Sequence, residues 1–293
     1  MKTSRRELLA ALAATAALPT LATAAGARSS LPVDTPGLDH LDVMVPDAEK
    51  TTRFYMGLLR TALHAQPYQG AQRYFVLLGP LPADRAVGYL AVGASRGRGS
   101  YIGHFCTSVV GWQRGDNAAI VDAMKKSFRD GGFGEFPGIT GFGGLFNAPD
   151  GLEIQFLPSP DKLVVEAVPS DFAPSMQGLV TPRQVDHVVV HAGDFERAVA
   201  WYRILYGRES RRERGRATFA FRNGSRLVLE ETRFVYGQAR PRIARFGVQV
   251  APFDRGAVEA GITALGGTVI GSDGKALRLR DVDGNELELV PAA

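Results

Sequence analysis

Asp39-His40-Leu41-Asp42-Val43-Met44-Val45 and, far along the chain, Asp186-His187-Val188-Val189-Val190-His191 read as two versions of one strand. In a strand, successive side chains take opposite faces. His40, Asp42 and Met44 therefore share one face, and Leu41, Val43 and Val45 take the other. Each version is matched by a later, similar closing strand. The first is Pro149-Asp150-Gly151-Leu152-Glu153-Ile154-Gln155-Phe156, the second Val282-Asp283-Gly284-Asn285-Glu286-Leu287-Glu288-Leu289. A histidine opens each half and a partly acidic strand ends it. The chain is a duplicated frame, so any position in one half can be compared with its counterpart.

The length of 293 residues suits two domains, each able to bury its own core. Hydrophobic residues at 45% and charged residues at 22% are values of a globular protein. The net charge is +4, and removing residues 1–24 leaves +2. That is too little positive charge to point to nucleic acid. A single cysteine, Cys106, excludes an internal disulfide.

Between its landmarks the chain repeats a strand, a helix and roughly three strands, four times over. The first unit has a strand at 38–45, a helix over 47–60 and strands at 73–78 and 86–92. The helix stripe is Ala48, Thr52, Tyr55, Met56 and Leu59. The second has a strand at 101–110, a helix from Asn117 to Arg129 and a closing strand at 152–157, with a Gly-rich segment at 138–146. Five prolines in 158–182 mark a linker. The third has a strand at 185–191 and a helix over 194–206, with Asp194 as N-cap and Gly207 as stop. Its strands at 216–222 and 225–231 are joined by the hairpin signal Asn223-Gly224. The fourth has a strand at 243–250, a helix at 254–265 and strands near 268–271, 275–280 and 286–290.

On Leu38-Asp39-His40-Leu41 with Phe54-Tyr55, Val185-Asp186-His187-Val188 with Trp201-Tyr202, and Asp283-Gly284-Asn285-Glu286-Leu287-Glu288, the chain resembles the vicinal oxygen chelate superfamily. Glyoxalase I, extradiol ring-cleavage dioxygenases and antibiotic-resistance proteins belong to that group. The resemblance covers about 38–158 and 184–291. It implies an α+β fold of two domains, each built of paired βαβββ modules whose curved sheet forms a cup with helices outside. The expected division is an export signal at 1–24, a leader at 25–37, a first domain at 38–158, a linker at 159–183 and a second domain at 184–291.

The resemblance also implies a ligand set. Metal-dependent relatives take ligands from the first strand of each module and from the closing strand; ring-cleavage relatives use two histidines and a glutamate to hold iron. His40 and His104 match the histidine positions, and Gln155 stands where the carboxylate belongs. An amide is a weaker ligand than a carboxylate, though amide oxygen serves some hard-metal sites. Glu153, two residues away on the same face, is the substitute. The expected metal residues are thus His40, His104, Glu153 and Gln155, for a divalent ion such as Fe, Mn, Zn or Ni. In the second half His187 and Glu288 match, but Arg245 holds the second-histidine position. Arginine does not ligate a metal, so that cup is expected to pair Arg245 with Glu288 or to hold an anionic substrate group.

Other features have plainer readings. His64 falls in a loop without a matched partner. Cys106 is either a cup residue or a small buried hydrophobe. The five arginines of 208–216 read as a solvated hairpin flank. The glycines of 138–144 lack the strand–turn–helix context and lysine of a phosphate loop.

Ser4-Arg5-Arg6-Glu7-Leu8-Leu9, an Ala/Leu run to Leu21 and Ala22-Thr23-Ala24 make an export signal. The paired arginines resemble a twin-arginine signal and place the mature chain in the periplasm or outside the cell. An ordinary secretory signal and an uncleaved anchor are the alternatives. The apolar run is short and Ala-rich for a membrane span. Two function classes follow. One is a metal-dependent dioxygenase or glyoxalase-like isomerase or lyase, acting on a small organic substrate held through neighbouring oxygens. The other is a metal-free binder of small molecules in the same cup. A homodimer is compatible with either.

Overall fold

The computed structural model describes residues 31–79, 88–113, 115–136, 138–139, 144–148, 151–158, 178–232 and 243–292. The segments read as an export signal at 1–24 and as a leader up to residue 30, the start of the strand read at 86–92, much of the Gly-rich segment and the segment read as a linker up to 177 lie outside them.

The N-terminal half contains β1 (Gly37–Val45), α1 (Ala48–Leu58), β2 (Leu63–Tyr68), β3 (Ala71–Leu77) and β4 (Tyr89–Ala94). β5 (Tyr101–Val109), α2 (Ala118–Asp130), β6 (Leu145–Asn147) and β7 (Glu153–Pro158) complete it. The C-terminal half contains β8 (Thr181–Ala192), α3 (Phe195–Tyr206), β9 (Arg211–Glu213), β10 (Arg216–Ala220) and β11 (Arg226–Glu231). It ends with β12 (Ile243–Ala251), α4 (Arg255–Ala264), β13 (Thr268–Asp273), β14 (Ala276–Arg280) and β15 (Glu286–Pro291).

Two mixed sheets result, ordered β2-β3-β4-β1-β5-β7-β6 and β13-β14-β15-β12-β8-β11-β10-β9. The centres correspond. β4-β1-β5-β7 in one sheet matches β11-β8-β12-β15 in the other, with the middle pair antiparallel and both flanking pairs parallel. This is the expected α+β arrangement of helices and curved mixed sheets.

Local chemistry accounts for the elements. Asp47, Asp194 and Asp254 cap α1, α3 and α4 by accepting hydrogen bonds from the N–H groups of Lys50, Arg197 and Ala257. Gly207, with φ of 81°, ends α3 as its sequence position predicted. Asn117 precedes α2 but does not cap it; its side chain bonds to the Gln113 backbone instead. Gly224, at φ 85°, turns the β10–β11 hairpin.

Two hairpins were not foreseen. β2 and β3 fold about Gln69-Gly70, and β9 joins β10 about Gly215. β2 carries Pro67 and β9 is Arg211-Arg212-Glu213. Proline and charge are tolerated there because both strands lie at sheet edges. His64 consequently sits in a strand, buried against Phe75, and not in a loop.

The apolar strand faces and helix stripes pack into one core spanning both halves. Leu41, Val43, Tyr55, Phe105 and Phe128 share it with Trp201, Tyr202, Phe246 and Leu287. Phe128 and Trp201 touch across the halves, ring centres 5.0 Å apart. Tyr55 donates to Asp281 at 2.8 Å, tying α1 to the C-terminal half. Val33, from the segment read as a leader, is buried in this same core. Among the described residues, no helix is long and apolar enough to cross a membrane.

Candidate metal centre

The site begins with an irregularity in β1. Leu38 pairs with Thr107 but Leu41 pairs with Phe105, so Asp39 and His40 together oppose Cys106. This is a β-bulge, which re-aims side chains that strict alternation would send to opposite faces. Asp39 and His40 can then touch: Asp39 Oδ1 lies 2.9 Å from His40 Nδ1. Ser108 donates to the other Asp39 oxygen at 3.0 Å. The His40 ring, 3% exposed, stacks on Tyr89 with centres 4.2 Å apart and planes 11° apart. Carboxylate and aromatic face thus lock its orientation.

His104 comes from the neighbouring strand β5 and is 7% exposed. Its Nε2 lies 3.4 Å from His40 Nε2 and 3.1 Å from Gln155 Oε1. Its Nδ1 looks the other way, 3.6 Å from Asp42 Oδ2 and 3.7 Å from Glu153 Oε2. Asp42 is held in turn by Arg73. Gly103 makes room for this carboxylate, since a β-carbon there would lie 2.6 Å from Asp42 Oδ2.

Proton placement follows from these neighbours. At His40 the Asp39 carboxylate favours the tautomer protonated at Nδ1; at His104 a proton on Nε2 would be donated to Gln155 Oε1, and one on Nδ1 would face Asp42 and Glu153. With both protons on Nδ1, the His40 Nε2 lone pair and the Gln155 carbonyl oxygen each face the His104 Nε2 lone pair. Three acceptors facing one another repel unless a cation lies between them. Two imidazole nitrogens, each about 2.1 Å from one ion at the tetrahedral angle, stand about 3.4 Å apart. The observed separation equals that value, so the donor set fits a divalent ion.

Burial lowers the His40 pKa below the ordinary 6.5 despite the opposing pull of Asp39. A neutral imidazole is the form that binds metal. The hydrogen bond with His104 lowers the Glu153 pKa, which outweighs its partial burial.

The four residues named from the sequence therefore divide. His40, His104 and Gln155 meet through Nε2, Nε2 and Oε1. Glu153, its side chain 44% exposed, stands on the Nδ1 side of His104. Asp39, His40 and Cys106 also bring ligand atoms within 4.8 Å of one another. In that group Asp39 is already engaged with His40 Nδ1 and Ser108, so it orients the imidazole.

The C-terminal half repeats the frame with different chemistry. Val185 pairs with Val248 and His187 with Gly247, so Asp186 and His187 form a second bulge. Asp186 lies 2.7 Å from His187 Nδ1 and is also held by Arg226. His187 Nε2 lies 3.4 Å from Glu288. Arg245, 13% exposed at its side chain, donates to Glu288 at 2.8 Å and to Glu230 at 2.8 and 3.1 Å. His187, Arg245 and Glu288 are thus brought together as an ion-pair network. Burial alone would lower the His187 pKa, but Asp186 and Glu288 outweigh it and raise it. Burial would raise the Glu288 pKa, but His187 and Arg245 outweigh it and lower it.

No family description and no curated protein matches the chain. Solved structures do. A 2,3-dioxygenase from Pseudomonas sp. KL28 is 12% identical with a TM-score of 0.62, covering 88% of this chain and 93% of that one. The Mn(II)-bound glyoxalase from Novosphingobium aromaticivorans is 14% identical with a TM-score of 0.57, covering 88% and 83%. Homoprotocatechuate 2,3-dioxygenase from Arthrobacter globiformis is 15% identical with a TM-score of 0.54, covering 90% and 82%. The fold is therefore that of extradiol dioxygenases and glyoxalases. At such identities the likeness concerns the fold alone.

Proposed function

We propose that the protein is an exported metal-dependent enzyme whose centre lies in the N-terminal half. His40, His104 and Gln155 hold a divalent ion, and Glu153 supports His104 from behind. The substrate is a small organic molecule presenting two neighbouring oxygens, and the reaction is a dioxygenation or an isomerase- or lyase-type step. The bound ion supplies Lewis-acid or redox activation of those oxygens.

The chain's own residues do the rest. Asp39 holds the proton at His40 Nδ1, and the nearby Asp42 and Glu153 carboxylates favour one at His104 Nδ1. Both Nε2 lone pairs stay free for the ion. The stacked Tyr89 ring and the adjacent Phe75 keep water from the imidazole flank. One observation carries this reading: two imidazole nitrogens and an amide oxygen converge, with a carboxylate behind each imidazole.

The test is elemental analysis of protein purified without added metal or a metal-binding tag. About one equivalent of a divalent ion is expected in the native protein and none in His40→Ala. Native protein that neither carries nor takes up an ion rejects the reading. In that case the metal-free binder is the better account, favoured by the neutral Gln155 and by the aromatic wall of Tyr89 and Phe75.

Export is part of the proposal and rests on the basic, apolar and small-residue pattern of residues 1–24. Replacing Arg5 and Arg6 by lysine is expected to leave the protein in the cytoplasm on fractionation. Unchanged export would reject the twin-arginine route.

A further inference from the structure

The sheet face that presents His40 and Asp42 continues along β1 to Met44, where it meets a cleft of about 280 Å³. Arg73, Arg96 and Arg98 line it, and no acidic residue does. Asp42 offsets the charge of Arg73, so Arg96 and Arg98 give the cleft its positive charge.

Among the described residues, two of its polar groups have no hydrogen-bond partner. Ser95 is 2% exposed, and its buried Oγ has no hydrogen-bond partner. The Arg73 Nε is likewise buried and unpaired. A buried donor left without an acceptor is costly, so a ligand acceptor placed there gains. Arg73 is nevertheless well fixed. It donates to Asp42 and lies with its guanidinium carbon 4.9 Å from the centre of the Tyr68 ring.

The mouth is built as well. Arg96 donates to the Gln69 carbonyl at 2.7 Å, joining the β2–β3 turn to the segment after β4. Both residues hold a positive φ without being glycine, 53° and 51°. Each is followed by a glycine at positive φ, so the two values belong to the tight turns Gln69-Gly70 and Arg96-Gly97. Met44, Tyr68 and Tyr101 add a thioether and two aromatic rings beside the charges.

We infer that this cleft is a subsite for the carboxylate of a small aromatic acid. The arginines and Ser95 offer donors to its two oxygens, and the rings and thioether flank its carbon body. Arg73 belongs both to this cleft and, through Asp42, to the shell behind His104. An acid seated here is therefore held next to the proposed metal centre. That this acid is the substrate rests on the metal reading; that the cleft binds carboxylates does not.

The first measurement uses chelator-treated, metal-free protein titrated with benzoate, benzamide and inorganic phosphate by calorimetry. Benzoate is expected to bind at least tenfold more tightly than either of the others. Arg98→Gln, and the double variant R96Q/R98Q, are expected to weaken benzoate at least tenfold while unfolding at the wild-type temperature. Equal binding of benzoate and benzamide overturns the subsite. So does benzoate binding that survives in both folded variants, and tighter phosphate binding overturns the assignment to an organic acid. The second measurement uses metal-loaded protein with 3,4-dihydroxybenzoate and catechol. A tenfold preference for the acid, lost in Arg98→Gln, is expected. Equal affinity would sever the cleft from the metal centre. Failure of the metal reading shows separately, as protein that takes up no ion while still binding benzoate.

Discussion

The two halves build the same corner of a sheet and fill it with opposite charge logic. In both, an Asp-His pair sits on a bulge and the aspartate holds Nδ1 of its neighbour. At the facing position the N-terminal half has His104, the C-terminal half Arg245. Across the next strand the one has Gln155, the other Glu288. In the first corner neutral donors face one another, the arrangement that the proposed ion would fill. In the second, the cation is a guanidinium already attached to the chain. Burial lowers the His40 pKa, whereas Asp186 and Glu288 outweigh burial at His187 and raise its pKa. The same sheet corner thus carries neutral donors in one half and an ion-pair network in the other, through different residues at two positions.

The largest expected contrast is in metal affinity. His40→Ala should weaken divalent-ion binding by about 100-fold or more in a calorimetric titration, by comparison with effects of neighbouring-shell changes. His187→Ala should leave affinity and stoichiometry unchanged. The reverse pattern would break the assignment of roles to the halves.

Next comes stability. Arg245→Leu leaves Glu288 and Glu230 facing each other without their shared cation. A loss of about 3 kcal/mol is expected in denaturant unfolding, the lower end for a severed buried pair, because Arg216 still faces Glu230 and Arg278 still faces Glu288. A change within about 0.5 kcal/mol would mean that the network is screened by solvent.

The residue under each histidine gives a smaller difference. A β-carbon at Gly247 would overlap the His187 imidazole, whereas Cys106 fills the same position beneath His40. Gly247→Ala should cost about 1–3 kcal/mol by overpacking. Cys106→Ala should cost about 1 kcal/mol, the removal of one small buried group. Equal losses at the two positions would show that the rings do not differ in seat.

The smallest effect is in pH dependence. A folded pKa above the ordinary 6.5 means that the His187 proton is bound more tightly in the folded state. Its contribution to stability is complete below about 6.5 and disappears as pH rises through the higher folded value. The stability difference between wild type and His187→Gln should therefore shrink from pH 6 to pH 9. A difference that grows over that interval would sink the ion-pair account of the second corner.

Much of this was legible beforehand. The repeated Asp-His strands, the closing strands and the helix caps at Asp194 and Gly207 all follow from local patterns. So did the pairing of Arg245 with Glu288, since charge and face sufficed to suggest it. The roles of Asp39 and Asp186 were hidden. Alternation assigns them to the face opposite their histidines, and only the bulges bring them round. Arg73 gave no signal because its partner, Asp42, sits two strands away in the sheet. His64 was misplaced because an edge strand carrying Pro67 shows no apolar alternation.

The order of residues was enough to specify the duplication, the strand faces and the kinds of donor available, because those depend on periodicities of a few positions. Which imidazole nitrogen points inward, which carboxylate stands behind it, and whether a corner awaits an ion or carries its own charge depend on pairing. Segments dozens of residues apart must first be set side by side, and a one-residue slip between them turns a side chain from one face toward the other.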